Sequence, residues 1–293
     1  MTTAEPVRRT LEIEEITNLY VIHPISSWLT PIFARLGVRP NAVSITGMAF
    51  GALAGLCYAH YQNTAAVLAG FALMIAWHVM DGADGQLARL THAQSELGKL
   101  LDGICDYVTF IAVYSGLALG LSQQYGKRVW LLVAAAGLCH AVQAAAYEVQ
   151  RQEYNFWGLG RKSAELMKLT QAETDAPAPK LADWLLRAYL RVQLTTAGVT
   201  PAFHRRLTEL MAREPARSEA IRERYRESFG PAVRRWSIMS ANYRTLGIFL
   251  CAIAGAPIAY FWIETVLFTA LLILLLRRRQ DRYRRFFASL AAT

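Results

Sequence analysis

The chain has 293 residues, 54% of them hydrophobic, a mean hydropathy of +0.22 and a formal net charge of +9. So high an apolar share over this length argues against a soluble domain and for a polytopic membrane protein. The basic excess does not point to nucleic acid, because the charges flank apolar segments that exclude a polyanion; anionic lipid head groups account for them instead.

Residues 1–39 read as a polar lead followed by an interfacial segment. Ile16 to Leu36 mix apolar residues with Asn18, His23, Ser26 and Ser27. Pro24 and Pro31 interrupt this stretch, which predicts short helical pieces lying along the cytoplasmic surface. Residues 1–15 are charged and show no cleavable signal peptide, so the first span is expected to direct insertion. Pro40 opens that span, its φ preset for an early helical position. Apolar runs near 42–61, 64–80, 104–122, 129–146, 245–262 and 263–276 predict six spans, most approaching the roughly 20 residues a crossing helix needs. Gly255 and Pro257 break the last two apart. The four cysteines, Cys57, Cys105, Cys139 and Cys251, fall in these spans without metal-ligand spacing and read as packing residues.

The expected architecture is an all-α integral membrane protein. Residues 40–148 form the first four spans, 149–236 a cytoplasmic helical insert, 237–276 the last two spans and 277–293 a basic tail. The insert is rich in Arg and Glu, with a Pro-rich patch at Ala176 to Pro179, an amphipathic stretch at Leu181 to Leu190 and a charged tract, Arg213 to Arg226, at the spacing of an exposed helix. Arg277, Arg278, Arg279, Arg282, Arg284 and Arg285 follow the last span, whereas the 61–64 connection has no charge. The positive-inside rule therefore places both termini in the cytoplasm.

The most informative stretch runs from Asp81 to Asp106. Asp81 and Asp84 are three residues apart near one helix end, and Asp102 and Asp106 four apart on the next, so each pair projects from one helical face. The short polar link from Thr91 to Leu97 predicts that the two helices are antiparallel neighbours. Carboxylates gathered at membrane depth repel one another, and divalent metal resolves the repulsion. An all-oxygen donor set suits Mg²⁺ or Mn²⁺, and two such ions would neutralise a diphosphate during displacement. Gly85, Ala88 and Gly98 remove bulk beside the acidic faces, and Arg89 offers charge-assisted contacts to phosphate.

These residues fit the pattern D-x2-D-G-x2-A-R-x8-G-x3-D-x3-D, and the chain resembles the CDP-alcohol phosphotransferase family at every fixed position of it. The resemblance implies that Asp81, Asp84 and Asp102, with help from Asp106, hold the metals. Asp84, Gly85, Ala88, Arg89 and Gly98 then shape the CDP site, joined by Asn41 and Ser44, which follow Pro40. It further implies that Asp106 removes the acceptor hydroxyl's proton, that the oxygen attacks the β-phosphorus and that CMP leaves. No Ser, Cys or His partners the aspartates as a nucleophile, so direct transfer is expected. A homodimer in contact with membrane lipids is likewise implied. The expected location is the bacterial inner membrane with the site facing the cytoplasm, where a soluble nucleotide and a lipid meet.

CDP-diacylglycerol is the expected donor and a polar alcohol such as an inositol, glycerol or sugar phosphate the acceptor. In the alternative, a CDP-linked head group passes to a lipid alcohol such as diacylglycerol or ceramide. A third reading, from another class, is a divalent cation transporter using the aspartates without turnover. Arg151, Lys162 and Arg244 are candidates to hold an acceptor phosphate, against the plainer reading of all three as positive-inside anchors, with Trp157 at the interface beside the first two. His78 reads better as a packing residue than as a ligand, and His140, Gln143 and Glu148 as interhelical hydrogen-bonding groups.

Overall fold

The computed structural model describes residues 11–161, 198 and 200–291. All described elements are helical, and no strand occurs among them. In chain order the α-helices are α1 (His23–Arg35), α2 (Pro40–Tyr58), α3 (Thr64–Leu90), α4 (Glu96–Tyr125), α5 (Val129–Glu153), α6 (Pro201–Arg213), α7 (Ser218–Trp236), α8 (Ala241–Ile253), α9 (Pro257–Trp262) and α10 (Phe268–Ala291). Their ends follow local chemistry. Pro40 occupies the first turn of α2, where its missing N–H has no helical acceptor to lose. The Asn63 side chain accepts from the amides of Ala65 and Ala66 at the start of α3, at 2.9 and 3.4 Å. Ser95 does the same for α4, its Oγ accepting from the Gly98 amide at 3.0 Å. Between these helices, Thr91 closes α3 and His92 takes a positive φ of 54° that reverses the chain.

Among the described residues five helical segments are long and apolar enough to cross a membrane: Pro40–Tyr58, Thr64–Leu90, Leu100–Tyr125, Val129–Gly158 and Pro257–Leu290. The chain is thus an integral membrane protein. The expected fifth span appears instead as α8, a helix of 13 residues. At about 1.5 Å rise per residue it is shorter than the roughly 30 Å hydrocarbon layer. The break expected between the last two apolar runs is present: Gly255 has φ 72° and Pro257 starts α9.

Two compact units divide the chain. The first comprises Met1–Leu138 and Ala241–Thr265. Within it α2 is the shared partner, packing along both α3 and α4, while α1 and α8 each pack on α3. The backbones come close where side chains are missing. A Cβ on Gly116 of α4 would overlap the carbonyl oxygen of Gly55 on α2, and one on Gly51 would overlap the Thr109 side chain. Gly47, a turn earlier, would bring a Cβ to 3.1 Å from Met80 Cβ on α3. Gly47, Gly51 and Gly55 recur every fourth residue, the small-residue pattern by which membrane helices approach without a hydrophobic driving force. The core of this unit gathers Tyr58, Met74, Trp77, Leu117, Leu121, Tyr260 and Phe261, all essentially buried. Arg244 and Glu264 are buried there as well, with Arg244 Nε donating to Glu264 Oε1 at 3.1 Å and Tyr260 donating to Oε2 at 2.8 Å.

The second unit comprises Cys139–Ser240 and Val266–Thr293. The helix of α5 continues through a π-helical turn, Tyr154–Gly158, well past the expected boundary at residue 148. Packing here is aromatic, with the Phe203 and Tyr283 rings stacked at 3.8 Å and those of Tyr225 and Phe229 at 4.3 Å. The Arg213 to Arg226 tract is only partly the exposed helix expected. Pro215–Arg217 form a separate turn, and α7 then buries Ile221, Tyr225, Phe229 and Val233. Ala176 to Pro179 and Leu181 to Leu190 lie outside the described residues.

Candidate active site

Asp81 and Asp84 sit in the last three turns of α3, and Asp102 in the second turn of α4. One carboxylate oxygen from each lies within 4.8 Å of the other two. The sequence predicted this convergence from two neighbouring helices, but the geometry differs. The α3–α4 pair is not packed along its length among the described residues; both helices lie against α2, and their carboxylates approach near the connecting turn. A five-residue link between Leu90 and Glu96, capped at both ends, keeps those ends close.

The donor set fits a hard divalent cation. Three carboxylates offer oxygen ligands only, within the span a single coordination sphere can bridge, and their mutual repulsion in a buried setting is offset by positive charge. Asp84 is the most enclosed, at 5% exposure, whereas Asp81 and Asp102 are half-buried. Ser44 Oγ, from the second turn of α2, donates to Asp84 Oδ2 at 2.5 Å. The third helix of the trio thereby orients the buried carboxylate, as outer hydrogen bonds orient metal ligands generally.

Around this group the other predicted residues fall into place unevenly. A Cβ on Gly98 would lie 3.6 Å from Asn41 Oδ1, so the starts of α2 and α4 come together at the pair named from the sequence. A Cβ on Gly85 would lie 3.4 Å from Arg89 Nη1, which leaves the guanidinium over a stretch of α3 free of side-chain bulk. Ala88 is half-buried on the same helix. Asp106 is also half-buried, one turn beyond Asp102 on α4, and stands outside the group of three carboxylates.

The described residues considered for an acceptor phosphate each pair with a carboxylate of their own unit. Arg244 is fully buried against Glu264, and Arg151, in the second unit, pairs with Glu148 one turn away at 3.0 Å. Lys162 lies outside the described residues. His78 packs as expected: its Nε2 is 2.9 Å from Thr245 Oγ1 and its ring lies against Trp77. Gln143 bonds between helices, donating to Thr265's neighbouring turn at Thr269 Oγ1 over 3.2 Å.

Sequence reasoning missed the face of α3 opposite α2's glycines. Ser26 Oγ of α1 donates to the Val79 carbonyl at 2.8 Å, and Ser27 Oγ donates to Gln86 Oε1 at 3.1 Å. The available signal was Gln86 itself, a polar residue inside an apolar helix next to the acidic pair.

Residues 38–174 match the family model described as CDP-alcohol phosphatidyltransferase. Over 120 residues the chain is 29% identical to CDP-diacylglycerol–serine O-phosphatidyltransferases of Mycobacterium bovis and of two strains of Mycobacterium tuberculosis. Those alignments cover 41% of this chain and 40% of each relative, so the chain spans about two fifths of the length of the curated relatives it matches.

Proposed function

We propose that the protein, whose residues 38–174 match the CDP-alcohol phosphatidyltransferase family model, transfers a phosphatidyl group from CDP-diacylglycerol to the hydroxyl of a polar alcohol, releasing CMP. The observation that carries this reading is the meeting of Asp81, Asp84 and Asp102 within 4.8 Å at the ends of two membrane helices. Together with the matched motif it favours an enzyme over a cation transporter. The relatives' names make serine one acceptor to test, alongside inositol, glycerol and sugar phosphates.

Asp81, Asp84 and Asp102 would hold Mg²⁺ or Mn²⁺, two ions in the fullest form of the proposal, and Asp106 adds a ligand where a second ion binds. The cations supply charge to the diphosphate and to the leaving CMP. Ser44 keeps Asp84 aimed at that charge through its hydrogen bond. Gly85, Ala88 and Gly98 leave room for the nucleotide against helix backbone, with Asn41 at the rim, and Arg89 pairs with its phosphate oxygens. Asp106 takes the acceptor's proton. The freed oxygen bonds to the β-phosphorus as the bond from that phosphorus to the bridging oxygen breaks, and CMP leaves with the electron pair. In this reading the site opens to the cytoplasm of a bacterial inner membrane, and two chains associate as a dimer.

The test is release of CMP from labelled CDP-diacylglycerol by purified protein in detergent with Mn²⁺ and an acceptor panel. Chelation with EDTA is expected to stop release and added Mn²⁺ to restore it. Asp106→Asn is expected to lower turnover by at least about a hundred-fold, the usual scale of a lost general base, while CDP binding persists. Normal turnover in that variant removes Asp106 from the mechanism, and metal-dependent ion flux without CMP favours transport.

A further inference from the structure

We propose that α1 is a brace for the metal-binding turn of α3, and that Gln86 is the positioning residue through which it acts. The inference rests on the proposed metal role of Asp81 and Asp84, because the brace touches the helix that carries them.

The polarity of α1 is the reverse of a water-facing amphipathic helix. Ile25, Trp28 and Ile32 are exposed, Trp28 at 68%, whereas Ser26 and Thr30 are buried at 0% and 3%. An outward apolar face suits the lipid surroundings of a membrane protein, but an inward face of hydroxyls needs a reason, since such groups are favourable inside only when paired. The hydroxyls that reach beyond α1 find their partners on one short stretch of α3. Ser26 donates to the Val79 carbonyl at 2.8 Å, and Ser27 donates to Gln86 Oε1 at 3.1 Å. Thr30 Oγ1 lies 3.4 Å from Gln86 Oε1, although its single proton is better used on the Ser26 carbonyl at 2.7 Å.

These contacts bracket the acidic pair. Val79 precedes Asp81, Gln86 follows Asp84, and Gly82 between them is where α1 comes nearest: a Cβ there would lie 2.7 Å from Ser26 Oγ. On the helical wheel Val79, Gly82 and Gln86 share one side, roughly opposite that of Asp81 and Asp84, so α1 holds α3 from behind the face that carries the carboxylates. A shift or rotation of α3 that moved its carboxylates would break the α1 hydrogen bonds. Gln86 is buried at 3% and bonds to Ser27 of α1, so its effect passes through the placement of the carboxylates on the same helix.

The test is Mn²⁺ binding to the purified full chain, read by the loss of the free-ion electron paramagnetic resonance signal, with CMP release measured in parallel. Gln86→Met keeps the volume and removes the acceptor; Ser27→Ala removes the donor and leaves α3 untouched. Each is expected to weaken Mn²⁺ binding about five-fold, the equivalent of one net hydrogen bond. Thr46→Val, which removes an exposed hydroxyl bonded only within α2, is expected to leave binding unchanged. Wild-type Mn²⁺ affinity in Gln86→Met and Ser27→Ala overturns the brace even if CMP is released. Weakened binding in both, in a wild-type protein that binds Mn²⁺ but releases no CMP, upholds the brace and overturns the transfer reaction instead.

Discussion

Ser44 and Asp84 show how much of the site depends on single atoms. The hydroxyl carries one proton, and of its two acceptors the Asp84 carboxylate at 2.5 Å outcompetes the Pro40 carbonyl at 3.3 Å. Ser44→Ala leaves the buried carboxylate without that donor. A hydrogen bond to a charged group contributes about 1.5 kcal/mol or more, so kcat/KM for the CDP-alcohol is expected to fall roughly ten-fold and to recover in Ser44→Thr, which restores the hydroxyl. Steady-state kinetics of the two variants check this, and equal activity in both excludes a role for the hydroxyl. Ser44 was singled out by its position after Pro40 as a nucleotide contact; its bond to Asp84 was not legible, because the partner lies 40 residues away. Arg244 is the opposite case. A basic residue near a membrane end suggested phosphate, and only the fold brings Glu264 and Tyr260 against it.

At the scale of elements, the crossing of α2 and α4 is set by glycine. Where Gly116 meets the Gly55 carbonyl there is no room for a Cβ, while around Gly137 on α5 nothing lies within 4 Å. Gly116→Val should therefore lower the thermal midpoint in detergent, by an overpacking penalty of at least about 1–3 kcal/mol. Gly137→Ala should hold it or raise it slightly, since glycine is the poorer helix former by up to about 1 kcal/mol. Thermal unfolding followed by helical circular dichroism measures both. The same crossing explains why α3 and α4 do not pair along their lengths. Their short link suggested a hairpin, yet the small-residue row of α2 lets that helix approach both of them, and close backbone contact outweighs adjacency in sequence.

For the whole molecule, the expected orientation with both termini cytoplasmic rests on the placement of basic residues and needs an even number of crossings, and it predicts which residues reach each side of the membrane. In a background lacking the four native cysteines, a cysteine at Gln62 is expected to react with an impermeant maleimide in intact cells, and one at Asp281, among the tail arginines, only after permeabilisation. Reaction of both from outside would contradict cytoplasmic termini and leave the five crossings of the apolar segments, with the 13-residue α8 adding none. The amino-acid order alone determined the helical class, the apolar runs, the acidic residues of the motif and their register, since hydropathy and spacing along a helix are local properties. Tertiary structure decided which carboxylates meet, that α8 stops at 13 residues, that α2 packs along both helices of the motif and that α1 turns its hydroxyls toward Gln86. Each of these depends on which distant surfaces fit, and the spacing of residues along one helix carries no record of the helix that will lie against it.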